Sequence, residues 1–159
     1  MVDKNQAVID FLATYEDIQN NPLFFNFINA KDSNYQFLTT SNDNTLNRSF
    51  IDGSVAKQYL FTLVITKTIT DLAIVKEQGI ANENLEDMAN IQALMDWVNE
   101  QDELQNYPNF GEQCVIEEMK TTSENPNLDG INTDVTPALA LYSMSIRIDY
   151  IDYSKIIWK

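Results

Sequence analysis

The chain has 159 residues, 44% hydrophobic, 21% charged and 11% aromatic, so one domain spanning 1–159 can bury a core without metal or disulfide support. Twenty-four acidic residues against ten basic ones give a formal net charge of -14, which opposes a direct grip on DNA, RNA or anionic lipid. No stretch approaches the ~18 consecutive apolar residues of a membrane span, and the opening MVDKNQAVIDFL lacks the small-residue cleavage site of a secretory signal.

Apolar residues at Val8, Phe11, Leu12, Tyr15 and Ile18 predict an amphipathic first helix, with Asp3 as N-cap, Gln6 as capping-box partner and Asn20-Asn21-Pro22 as its stop. The following LFFNFINAKDSNYQFLTT reads as a hairpin of two short strands broken by Lys31 to Asn34, and Ser41 to Asn47 as a loop. After Asp52-Gly53, the stretch from Val55 to Thr70 alternates. Tyr59, Phe61, Leu63 and Ile65 share one face, and Leu60, Thr62, Val64 and Thr66 the other, as in a long strand.

Asn82-Glu83-Asn84 opens a second helix whose apolar stripe is Leu85, Met88, Ile91, Leu94, Met95 and Val98, ending before Pro108 and Gly111. A short strand follows at Cys114 to Thr121, then a turn-rich connector from Ser123 to Asp134. The last element is a long strand from Ala138 to Ile151. Its Tyr142, Met144, Ile146, Ile148 and Tyr150 oppose Ser143, Ser145, Arg147 and Asp149 with a strict period of two. Two main helices against four or five strands, without βαβ alternation, predict an α+β domain with a mostly antiparallel sheet.

Histidine is absent, which removes the commonest general base and metal ligand together with every Ser-His-Asp, Cys-His and HExxH arrangement. Cys114, the single cysteine, cannot form an internal disulfide, as expected in a reducing cytoplasm, and has no neighbouring base in sequence to activate it. The four glycines, at 53, 79, 111 and 130, form neither GxGxxG nor a phosphate loop. The oxygen-rich segments Ser41 to Asn44 and Asp129 to Asp134 do not fit an EF-hand and read as Asx-turns. No catalytic, cofactor-binding or metal-binding residue is assigned, and the expected class is a non-enzyme.

From Glu77 to Met119 the chain carries eleven acids and no Lys or Arg. A solvated helix ordinarily mixes signs in salt-bridging pairs. Glu83, Glu86, Asp87, Asp96, Glu100, Asp102 and Glu103 are therefore candidates for an acidic face turned to a lumen or a partner. Adjacent Phe24 and Phe25 cannot both point inward from one regular strand, and a free tail would expose Ile157 and Trp158 to water. These four are candidate subunit contacts.

The opening helix followed by NPLFFNF at Asn21 to Phe27, the acidic helix leading into NYPNFG at Asn106 to Gly111, and TPALALYSMSIRIDYID from Thr136 to Asp152 resemble small proteins of tailed bacteriophages and prophages of low-GC bacteria. The element order is similar to that of tail terminator proteins. The resemblance implies an α+β head-completion or head-to-tail joining component without a catalytic signature. It would assemble in the host cytoplasm and stand at the head-tail junction of the virion as a homo-oligomeric, hexameric ring, contacting tail-tube or head-completion proteins. The competing reading from another class is an acidic soluble binding module, a nucleic-acid mimic or inhibitor, without enzymatic activity.

Overall fold

A 15-residue strand needs a continuous backbone partner along at least one edge, and two such stretches here supply it to each other. The computed structural model describes residues 3–20, 23–25, 35–39, 48–69, 82–132 and 138–156, with side chains except those at 24–25, 68–69, 82–86 and 132. In chain order the elements are α1 (Lys4–Leu12), α2 (Glu16–Gln19), β1 (Leu23–Phe25), β2 (Tyr35–Thr39), β3 (Arg48–Ser49), β4 (Val55–Ile69), α3 (Asn82–Glu103), β5 (Cys114–Thr121), β6 (Asn127–Asn132) and β7 (Ala138–Asp152). The fold is α+β, as the sequence predicts.

β4 and β7 pair antiparallel without interruption from Val55↔Asp152 to Ile69↔Ala138. At about 3.3 Å per residue this ladder is roughly 50 Å long. The sheet builds outward from it in the order β1-β2-β4-β7-β5, a row of five, while the two-residue β3 pairs with the start of β4 and β6 with β7. On the far side of β7, β5 takes the half from Asp152 to Ile146 and β6 the half from Ser143 to Leu139.

The strict alternation of β4 and β7 puts Phe61, Leu63, Ile65, Tyr142, Met144, Ile146 and Ile148 on one face, all at most 1% exposed. Against this face pack Val8, Phe11, Leu12 and Ile18 of α1 and α2, and Ile91, Leu94, Met95 and Val98 of α3. Each such side chain contributes about 1.5–3 kcal/mol by leaving water. Trp97 joins the helices, its ring lying 5.2 Å from Phe11 and 5.1 Å from Tyr15 between centroids. Phe37 of β2 stacks on Phe61 at 4.8 Å.

The opposite face is divided along its length. Toward β6 it is buried at Gln36, Val64, Thr66, Leu139 and Ser143. Toward β5 it carries a polar ladder: Gln58 Nε2 donates to Asp149 at 3.1 Å, Thr62 and Ser145 share a hydroxyl hydrogen bond at 2.8 Å, and Arg147 lies 2.7 Å from Glu118 and 3.2 Å from Asp149.

Four local expectations change. The first helix is interrupted: Thr14 donates both its amide and its hydroxyl to Phe11 O, at 3.1 and 2.7 Å, which tightens the last turn of α1 and ends it before α2 begins. Asp3 does cap α1, accepting from the amides of Asn5 and Gln6, but the Gln6 side chain reaches forward to Asp10 at 2.8 Å and leaves the capping box half made. The two strands of the expected hairpin exist, yet β1 runs parallel to β2, with Leu23↔Tyr35, so they are not a hairpin. Their apolar content marks them as strands without setting their sense. The connector from Ser123 to Asp134 contains β6, because the half of β7 beyond β5 needs backbone partners whatever the propensity of Asn, Asp and Gly. The loop from Ser41 to Asn47 lies outside the described residues.

α3 ends in a Schellman motif: the amide of Asn106 donates to Gln101 O at 2.9 Å and that of Gln105 to Asp102 O at 3.0 Å. Gln105 sits at φ 54, the left-handed region that strains any residue with a Cβ. Gln105→Gly should therefore stabilise the domain by about 0.5–1 kcal/mol and raise the melting temperature by roughly 1–4 °C, read by thermal unfolding. A fall in melting temperature would show that the Gln105 side chain contributes more than its backbone costs.

Candidate functional site

β5 lies at the edge of the row, and an uncovered strand edge invites pairing with another chain. Here α3 closes it. Asp102 Oδ1 accepts the Met119 amide at 2.9 Å, Asn99 Oδ1 accepts the Thr121 amide at 3.3 Å, and Tyr107 Oη donates to Glu117 O at 3.4 Å. Tyr107 also donates to Asp102 Oδ1 at 2.8 Å, and burial together with that hydrogen bond pushes its hydroxyl up to about 12. The spacing of three between Asn99 and Asp102 presents two acceptors on one helix side, matched to alternate amides of the strand. Asp102 is thus half-buried in a structural role and leaves the acidic face on which the sequence places it.

The remaining acids of α3 divide. Asp96, Glu100 and Glu103 are exposed and, at i, i+4 and i+7, form one outer stripe. Asp87 is half-buried instead, close enough to Tyr142 that, after burial itself, its charge helps push that hydroxyl up to about 12. Glu83 and Glu86 belong to the first turns of α3, and their side chains lie outside the described set. Phe24 and Phe25 stand in β1, at the end of the row, with side chains likewise outside it, as are Ile157 and Trp158 altogether.

Sequence reasoning did not find the charged cleft at the end of the sheet where β4 and β5 begin and β7 ends. Register places Cys114, Asp152 and Val55 side by side there. Lys4 of α1, Lys57 of β4 and Lys155 after β7 converge on a cavity of about 630 Å³ floored in part by Phe110 and Cys114. Lys57 Nζ bonds Asp152 at 2.9 Å. Lys4 Nζ lies 5.5 Å from the ring centre of Tyr150 and 5.9 Å from that of Phe110, within cation–π range. Burial alone would raise the Asp152 carboxyl, but bonds from the Ser154 side chain and amide and from Lys57 together outweigh it and hold the group at about 2. Burial pushes the Cys114 thiol up, with Lys4 opposing, so it is protonated at neutral pH.

Beside the cleft, on the other side of the sheet end, stands an apolar patch. Ile51 is 87% exposed, Val115 50% and Phe50 41%. The turn that carries Ile51 is held by Phe50 N to Ser54 O at 2.9 Å, Gly53 N to Phe50 O at 3.1 Å, and the Ser54 amide and hydroxyl to Asp52 Oδ1 at 2.9 and 2.6 Å. Gly53 takes φ 92, which this turn requires. The signal was present in the sequence: two bulky apolar residues immediately before Asp-Gly.

Among the described residues no group of three or more His, Cys, Asp or Glu side chains is placed to hold a metal ion. Of the oxygen-rich stretch from Asp129 to Asp134, read from the sequence as an Asx-turn, Asp129 to Asn132 lies in strand β6 instead, and 133–134 lie outside the described residues. The other, at 41–44, lies outside the described residues. In comparison with known proteins, no family model matches this chain and no curated protein matches it significantly.

Two predictions follow from the paired acids. Asp102→Ala should destabilise the domain by about 1–3 kcal/mol by stranding the Met119 amide, while Asp102→Asn, which keeps an acceptor, should cost less. Denaturant titration and hydrogen exchange at Met119 read both, and equal losses would refute the edge-closing role. Asp152 has a folded pKa of about 2 against an ordinary 3.8. Its stabilisation is present above pH 4 and lost as pH falls toward 2. Asp152→Asn should flatten the stability profile in that window by on the order of 1 kcal/mol, and an unchanged acid limb would refute it.

Proposed function

We propose that the chain is a non-catalytic structural subunit of the head-completion or tail-terminating kind found in tailed bacteriophages, working by assembly with copies of itself and with neighbouring virion proteins. One observation carries this reading. Ile51 is 87% exposed on a turn held by four hydrogen bonds, next to exposed Phe50 and at the same end of the sheet as exposed Val115. Burying one such side chain gains about 1.5–3 kcal/mol, and a rigid turn gives that gain to a partner without an ordering cost. The resemblance of the opening, acidic-helix and closing segments to phage proteins supplies the identity of the partners. The missing histidine, which removes the commonest general base, favours assembly over chemistry.

A second reading, a soluble acidic module that binds a basic partner, is favoured by the exposed stripe of Asp96, Glu100 and Glu103. Light scattering across a concentration series separates the two. Assembly predicts a mass that rises above the monomer with concentration, and Ile51→Asp should weaken that association at least tenfold. A mass fixed at monomer or dimer, indifferent to Ile51→Asp, favours the acidic module.

A further inference from the structure

In a chain of net charge -14, three of the ten basic residues surround one cleft. They come from positions 4, 57 and 155, so the fold and not a local motif gathers them. Lining acids Asp152 and Glu112 are fewer than the three lysines, and since Asp152 and Lys57 pair with each other at 2.9 Å, Lys4 and Lys155 are left facing Glu112 and any occupant. Among the described residues neither Lys4 nor Lys155 makes an ion pair. Lys4 is held over the rings of Phe110 and Tyr150, which fixes an ammonium on a hydrophobic floor, where its charge acts across less water.

The occupant that matches such a cleft is a rigid acidic surface, and this chain carries one. Asp96, Glu100 and Glu103 project from one side of α3. No Lys or Arg occurs from residue 77 to residue 119, and Lys120 lines the hollow beside Asp96 and Glu103 as a single positive charge among these acids. We infer that the cleft of Lys4, Lys57 and Lys155 receives the Asp96–Glu100–Glu103 stripe of a second copy. Two copies of so acidic a chain repel each other in most orientations, so the orientation that brings cleft to stripe is selected electrostatically. Cleft and stripe are different surfaces of one subunit, at the end of the sheet and on the outer side of α3. The contact therefore joins unlike surfaces, the cleft of one copy and the stripe of another. The apolar patch around Ile51 stands at the same end of the sheet, on the side away from the cleft.

This inference rests on the self-assembly reading, and reciprocal charge reversal tests the two separately. One variant carries Lys4→Glu and Lys155→Glu; the other carries Glu100→Lys and Glu103→Lys. Each alone repels its own kind and should associate at least tenfold more weakly than the native chain, by sedimentation and light scattering, with unchanged circular dichroism and melting. Mixed one to one, reversed cleft faces reversed stripe, and association should return to within about threefold of native. If both variants assemble like the native chain, or if the mixture fails to recover, the cleft-to-stripe pairing is overturned while self-assembly stands. If the native chain stays monomeric throughout, both are overturned.

Discussion

The ladder between β4 and β7 is the constraint from which the rest of the structure follows. Fifteen consecutive residue pairs, Val55↔Asp152 to Ile69↔Ala138, lock the register of two strands whose nearest ends, Ile69 and Ala138, are 69 positions apart in sequence. Because side chains alternate, a slip of one residue would send Phe61, Leu63, Met144 and Ile146 to the opposite face and bring Thr62 and Ser145 into the core. The hydrophobic pattern forbids that slip at every step. Both helical layers, the polar ladder on the reverse face and the gathering of Lys57, Cys114 and Asp152 at one end inherit their positions from this register.

A sheet built on so long a ladder has to manage its edges. β7 is longer than β5, and the surplus is taken by β6, a segment with Asn, Asp or Gly at four of its six positions that would not be a strand on its own account. β5 in turn would leave its outer amides open, and α3 meets them with Asn99 and Asp102. A helix rich in acids thus has two kinds of carboxylate. One kind accepts hydrogen bonds and closes the sheet, and the other stands in water and gives the surface its field.

The alternation of β4 and β7 was legible because each strand has a polar and an apolar face, and the stripe of α3 because its burial has the period of a helix. The interruption of α1, the parallel sense of β1 and β2, and β6 were not. Thr14 bonding back to Phe11 is a local choice that competes closely with continued helix. The direction of β1 leaves no mark on its side-chain alternation, and β6 is a strand only because β7 is there. The acidic bias of α3 was equally plain, but not the turning inward of Asp87 and Asp102, which depends on what lies under each helical position.

The amino-acid sequence by itself determined the class of fold, the two long strands, the inner face of the core and the absence of histidine chemistry, since each follows from composition or from a period of 2 or 3.6 residues. Only the tertiary structure decided which acids face water, how the edge of β5 is closed and that Lys4, Lys57 and Lys155 share one cleft. Those are relations between residues far apart along the chain. Periodicity speaks of the side of an element on which a residue lies, and only packing determines what stands across from it.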